Sequence, residues 1–119
     1  MLLLTVPVVF AAMAIAQISD DEYKTQMQSI GANVTAVRDA ADAAPAANSL
    51  VETFTKVAAY WKAKNAPDAV TFAETARDAA KAIADGQGDK AANLMKLQQQ
   101  CGACHMAHRG GGRGNFTIK

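Results

Sequence analysis

Residues 20–41 read Asp20-Asp21-Glu22-Tyr23-Lys24-Thr25-Gln26-Met27-Gln28-Ser29-Ile30-Gly31-Ala32-Asn33-Val34-Thr35-Ala36-Val37-Arg38-Asp39-Ala40-Ala41. The apolar positions Tyr23, Met27, Ile30, Val34, Val37 and Ala41 recur in alternating steps of four and three, which places them on one stripe of a helix. Ser19 or Asp20 is suited to cap its start, the acidic first turn favours the positive end of the helix dipole, and Pro45 is expected to end the segment. Downstream, Leu50, Phe54, Val57 and Trp61 form a second stripe, opened by Asn48 or Ser49 and closed by Asn65-Ala66-Pro67. A third runs from about Asp68 to Asp85 through Val70, Ala73, Ala76, Ala80 and Ile83, and Gly86 and Gly88 stop it. Asp89 then caps a fourth helix with the stripe Leu94, Leu97, Cys101, Cys104 and His108. Connections this short make neighbouring helices antiparallel, so the expected fold is all-α, an up-down-up-down four-helix bundle.

Composition agrees with that reading. The chain holds 27 alanines among 119 residues and only 3 prolines, a balance that favours helix over sheet. With Lys+Arg 12 against Asp+Glu 11, its charges are mixed along the chain, and no basic footprint for nucleic acid emerges. Leu2 to Ala16 is an apolar run ending in the small-x-small pattern Ala14-Ile15-Ala16, read as an export signal cleaved before Gln17. It is short for a membrane span, which needs roughly 20 apolar residues, and it lacks the usual opening Lys or Arg. The folded unit is therefore expected over 17–109, exported, with 110–119 as a flexible tail because Gly110, Gly111, Gly112 and Gly114 oppose a helix. The third helix turns mostly alanine inward. A bundle lined this way either closes up or holds a bulky planar cofactor, and composition leaves that choice open.

The chemistry is concentrated in Cys101-Gly102-Ala103-Cys104-His105. This is C-x-x-C-H, the attachment pattern of c-type haem. Positions i, i+3 and i+4 share a helical face, so Cys101 and Cys104 are placed to form thioethers to the two vinyl groups while His105 puts an imidazole nitrogen on the iron. Other readings are weaker. A redox dithiol expects a βαβ context and a helix N-terminus. Zinc held by Cys101, Cys104, His105 and His108 needs four ligands to converge from barely two turns of one helix, and a Cys101–Cys104 disulfide would strain that helix. His108 is read as a surface residue and Trp61 as core packing.

A C-x-x-C-H in the last helix of such a bundle, with Arg109 four residues after the histidine, resembles the class II cytochromes c, the cytochrome c prime superfamily. Phe54 through Trp61 and Asp68-Ala69-Val70 through Ala79-Ala80 are similar to the family's middle helices, while the short link between them departs from the family's longer connection. The resemblance implies a periplasmic monohaem protein with one covalent haem c, His105 as proximal ligand, redox proteins as partners and a homodimer through the first two helices. Met27-Gln28-Ser29-Ile30-Gly31 is similar to the Met-x-x-x-Gly segment of the low-spin branch, which implies Met27 as the sixth ligand; a methionine on an apolar stripe is otherwise core. Arg109 and Lys24 are expected propionate partners. The expected function is electron transfer and not enzymatic turnover. Its alternatives are a five-coordinate protein that admits nitric oxide or carbon monoxide past Met27 or Ile30, and a non-haem zinc or dithiol bundle.

Overall fold

The computed structural model describes residues 17–112 and 115–119, so the export segment expected over 1–16 lies outside the described residues. Four helices follow one another: α1 Asp20–Asp39, α2 Ala44–Ala63, α3 Pro67–Ala84 and α4 Lys90–His108. Ser19 caps α1, its hydroxyl accepting from the Glu22 amide at 3.2 Å. The helix stops at Asp39, well before Pro45, because Ala40 turns to extended backbone while donating its amide to the Ala36 carbonyl. Lys90 Nζ reaches the Arg38 and Ala40 carbonyls at the helix end, each at 3.4 Å.

Pro45 is thus a start and not a stop. It sits in the first turn of α2, where a missing amide hydrogen costs nothing, and the Asp42 carboxylate accepts from the Ala44 amide at 3.1 Å. Asn48 and Ser49 lie inside that helix rather than capping it. At the other end, Asn65 takes a left-handed conformation (φ 55°), and the Asn65 and Ala66 amides return to the Lys62 and Trp61 carbonyls. Gly86 (φ 67°) closes α3 in the same way, with Gly86 and Gln87 amides bonded to Ile83 and Ala82 carbonyls. Asp89 caps α4 by accepting from the Ala92 amide at 3.1 Å. Asp89→Ala is expected to cost about 1 kcal/mol, measured as a shift in the urea midpoint at unchanged slope.

One core holds the helices together, with Leu50, Leu97 and Val37 its largest fully enclosed side chains. The centre of the packing is α3, which turns Ala69, Ala73, Ala76, Ala79 and Ala80 inward and packs against both α2 and α4. Alanine at these positions lets helix axes approach closely. By contrast α1 rests mainly on α2 and meets α4 at few points. The separation of α1 from α4 positions the site.

The C-terminus departs from the sequence reading. Instead of a flexible tail over 110–119, β1 Arg109–Gly112 pairs antiparallel with β2 Asn115–Ile118. The glycines that break the helix are required by this hairpin. Gly111 has φ 78°, and a Cβ there would collide with the Asn115 carbonyl; a Cβ on Gly110 would lie 2.7 Å from Thr117 Oγ1. Ile118 packs on the core cluster.

Candidate functional site

Between α1 and α4 lies a cavity of about 770 Å³. Its α1 wall presents Tyr23, Lys24, Met27, Ile30 and Val34; Phe54 and Val57 of α2 and Phe72, Ala73 and Ala76 of α3 add apolar lining. The α4 wall carries Cys101, Cys104, His105 and His108, and the hairpin adds Arg109 and residues 115–118. All six residues singled out from the sequence, Lys24, Met27, Cys101, Cys104, His105 and Arg109, therefore line one space.

Their local order follows from the helix. Cys101 and Cys104 lie a turn apart, half-buried and as free thiols, with His105 half-buried next to them. Gly102 is exposed, with nothing within 4 Å of where its Cβ would be. Burial raises both thiol pKa values, that of Cys104 to about 11, where the neighbouring Cys101 and Asp68 add to the effect. His105 is shifted the other way. Burial, and then the Arg109 guanidinium, lower its pKa, so the ring is neutral at neutral pH. Arg109 Nη1 lies 3.3 Å from His105 Nδ1. A guanidinium only donates, so in this arrangement Nδ1 is the acceptor and the ring hydrogen sits on Nε2.

On the opposite wall Met27 is half-buried against the core, while Lys24 is exposed. Beneath them Tyr23, Tyr60 and Trp61 interlock: the tyrosine rings stack at 4.3 Å, and Trp61 meets them edge-on at 5.7 and 5.1 Å. Trp61 Nε1 donates to the Tyr23 hydroxyl at 3.2 Å. Desolvation, with further contributions from the nearby cysteines, pushes the Tyr23 phenol up to about 12, so it stays a neutral hydroxyl.

His108 is not the surface residue expected from sequence. Its ring, 16% exposed, lies 4.5 Å from Trp61, with Nε2 2.9 Å from Asp68 Oδ2 and Nδ1 2.9 Å from the Lys119 carbonyl. The hydrogen bond to His108 is the main cause holding the Asp68 carboxyl below its ordinary range. Among the described residues no three His, Cys, Asp or Glu side chains are grouped to hold a metal ion by themselves. The donors that do line the cavity are two thiols, the neutral His105 imidazole, the His108 imidazole already engaged by Asp68 and the Lys119 carbonyl, and a thioether on the far wall, over an apolar floor. That donor set fits a covalently attached haem better than a four-ligand zinc site.

The sequence reading missed the hairpin wall. Its trace was present in Asn115-Phe116-Thr117-Ile118, a short run rich in aromatic and β-branched residues and preceded by glycines. Compared with known proteins, the chain matches no family model, no curated protein and no solved structure.

Proposed function

We propose that this chain is a c-type monohaem cytochrome of the class II, cytochrome c prime, superfamily, with its four helices up-down-up-down and antiparallel, and that it transfers electrons in the periplasm to redox partner proteins. One observation carries the reading: the Cys101-x-x-Cys104-His105 face and Met27 line the same cavity from opposite helices. Cys101 and Cys104 would hold haem c by two thioethers, and His105 and Met27 would offer the iron an imidazole and a thioether. Bound there, the haem supplies one-electron redox chemistry at iron.

The chain's own residues prepare that site. A ligating histidine must be neutral, and burial together with Arg109 keeps His105 so. Were His105 to hold iron through Nε2, its ring hydrogen would sit on Nδ1, which would then no longer accept from Arg109. The guanidinium has a second seat on the Phe116 ring, 3.5 Å from its centroid. Lys24 and Arg109 supply positive charge to the same cavity for the propionates. Phe54, Val57, Phe72 and Ala76 exclude water, and a low-dielectric setting with a soft thioether ligand favours the less charged, ferrous state.

Protein exported in a host with c-type maturation is expected to exceed the polypeptide mass by one haem, to begin near Gln17, and to show a methionine-to-ferric-iron charge-transfer band. Met27→Leu is expected to remove that band and leave the iron high-spin. An unsubstituted protein that is already high-spin would move the assignment to the five-coordinate alternative that binds nitric oxide or carbon monoxide. A colourless product of bare polypeptide mass ends both readings.

A further inference from the structure

The β2 wall of the cavity supplies no group assigned to the haem. Asn115, Phe116, Thr117 and Ile118 all line it, beside Arg109 at the start of β1. We infer that the C-terminal hairpin is a built component of the site, a cover beside His105 that sets how readily solvent and small solutes reach the cysteine pair.

The hairpin is fastened where a loose tail would not be. Its last residue is bonded twice to the end of α4: the Lys119 amide donates to the His108 carbonyl at 2.8 Å, and the Lys119 carbonyl lies 2.9 Å from His108 Nδ1. The His108 ring is itself held by Asp68 and by Trp61, so the anchor extends into α2 and α3. Ile118 adds an apolar contact with the core. At the other strand, Arg109 bridges from His105 Nδ1 to the face of Phe116. Phe116 is 42% exposed overall and yet lines the cavity. A large apolar ring, clamped by a guanidinium, thus stands at the boundary between solvent and the cavity. The strand pairing tolerates nothing bulkier than glycine at Gly111, where φ is 78°.

The inference rests on the haem reading only for what the cover protects, and its test does not require haem. In the reduced, haem-free full-length chain, iodoacetamide alkylation of Cys101 and Cys104 is followed by peptide mass, with the guanidinium-unfolded chain as the fully open reference. Gly111→Val, which breaks the hairpin and leaves every helix residue in place, is expected to raise both rates about fivefold at unchanged helical circular dichroism. Phe116→Ala, which removes only the ring, is expected to raise them about two- to threefold. Rates equal to the parent in both variants overturn the inference. If Gly111→Val loses helical structure, Phe116→Ala decides alone, and no change there is equally fatal. A chain that never acquires haem leaves this experiment intact; if the matured protein carries haem but the haem-free variants alkylate no faster than the haem-free parent, the cover is lost and the proposed function stands.

Discussion

Replacing both Cys101 and Cys104 by alanine is expected to abolish haem retention through acid-acetone extraction and to lower the midpoint of thermal unfolding by more than any other substitution near the site. The first effect follows from bond type. Two thioethers make the cofactor part of the chain, whereas His105 and Met27 alone leave it in equilibrium with solvent. The second follows from the cavity. About 770 Å³ between α1 and α4 is lined by apolar side chains that have no partners across the gap unless something fills it. A ligand that binds only the native state stabilises it by mass action, about 4 kcal/mol when present at a thousand times its dissociation constant, and covalent attachment keeps it from being diluted away. The loss should be uneven. Because α1 packs mainly on α2 and barely on α4, amide exchange in the double variant should accelerate first in α1, while α3, wedged between α2 and α4, stays protected. Single replacements keep one thioether and are expected to fall between. A double variant that still holds its haem through extraction, or that melts like the loaded parent, would contradict the attachment scheme.

What the sequence revealed and what it hid divide along the range of the interactions. The helices were legible because their determinants are local: stripes such as Tyr23, Met27, Ile30, Val34 and Val37 need only the helical period, and Asp89 and Gly86 cap their helices with bonds a few residues long. Pro45 misled because one residue type has opposite meanings at a helix end and in a first turn, and its role depended on Ala40 becoming extended upstream. The candidate site was legible for the same reason as the helices, since C-x-x-C-H is a local pattern. His108 and the hairpin were not. Each depends on partners far along the chain: His108 on Asp68 and Trp61, β2 on β1 and on Ile118 reaching the core. Glycines 110 and 111 oppose a helix on local grounds alone, whereas the tight strand approach they permit depends on the partner strand beside them.

Trp61→Ala is expected to destabilise the haem-free chain by about 3–5 kcal/mol, the range for removing a buried large aromatic side chain. Small domains have about 5–15 kcal/mol in total, so a chain without its cofactor is brought close to unfolding. Trp61 is 3% exposed and touches three parts of the fold at once. It meets Tyr23 of α1 through an edge contact and an Nε1 hydrogen bond, Tyr60 of its own helix edge-on, and His108 of α4 ring to ring. Removing it therefore loosens the attachment of α1 and the seat of the histidine that fastens Lys119, and the thiol protection ascribed to the hairpin should fall as well. Trp61→Phe separates packing from polarity. It keeps an aromatic ring in the space but takes away the donor to the Tyr23 hydroxyl, and the expected cost is about 1–2 kcal/mol. Combining it with Tyr23→Phe in a double-mutant cycle isolates that hydrogen bond, for which a coupling of about 1 kcal/mol is expected. Were Trp61→Ala to unfold within 1 kcal/mol of the parent, roughly the ordinary effect of a point substitution, the aromatic junction would not be what joins α1 to the rest of the bundle. The cofactor would then have to be that joint, and the Cys101, Cys104 double variant would lose the first helix entirely.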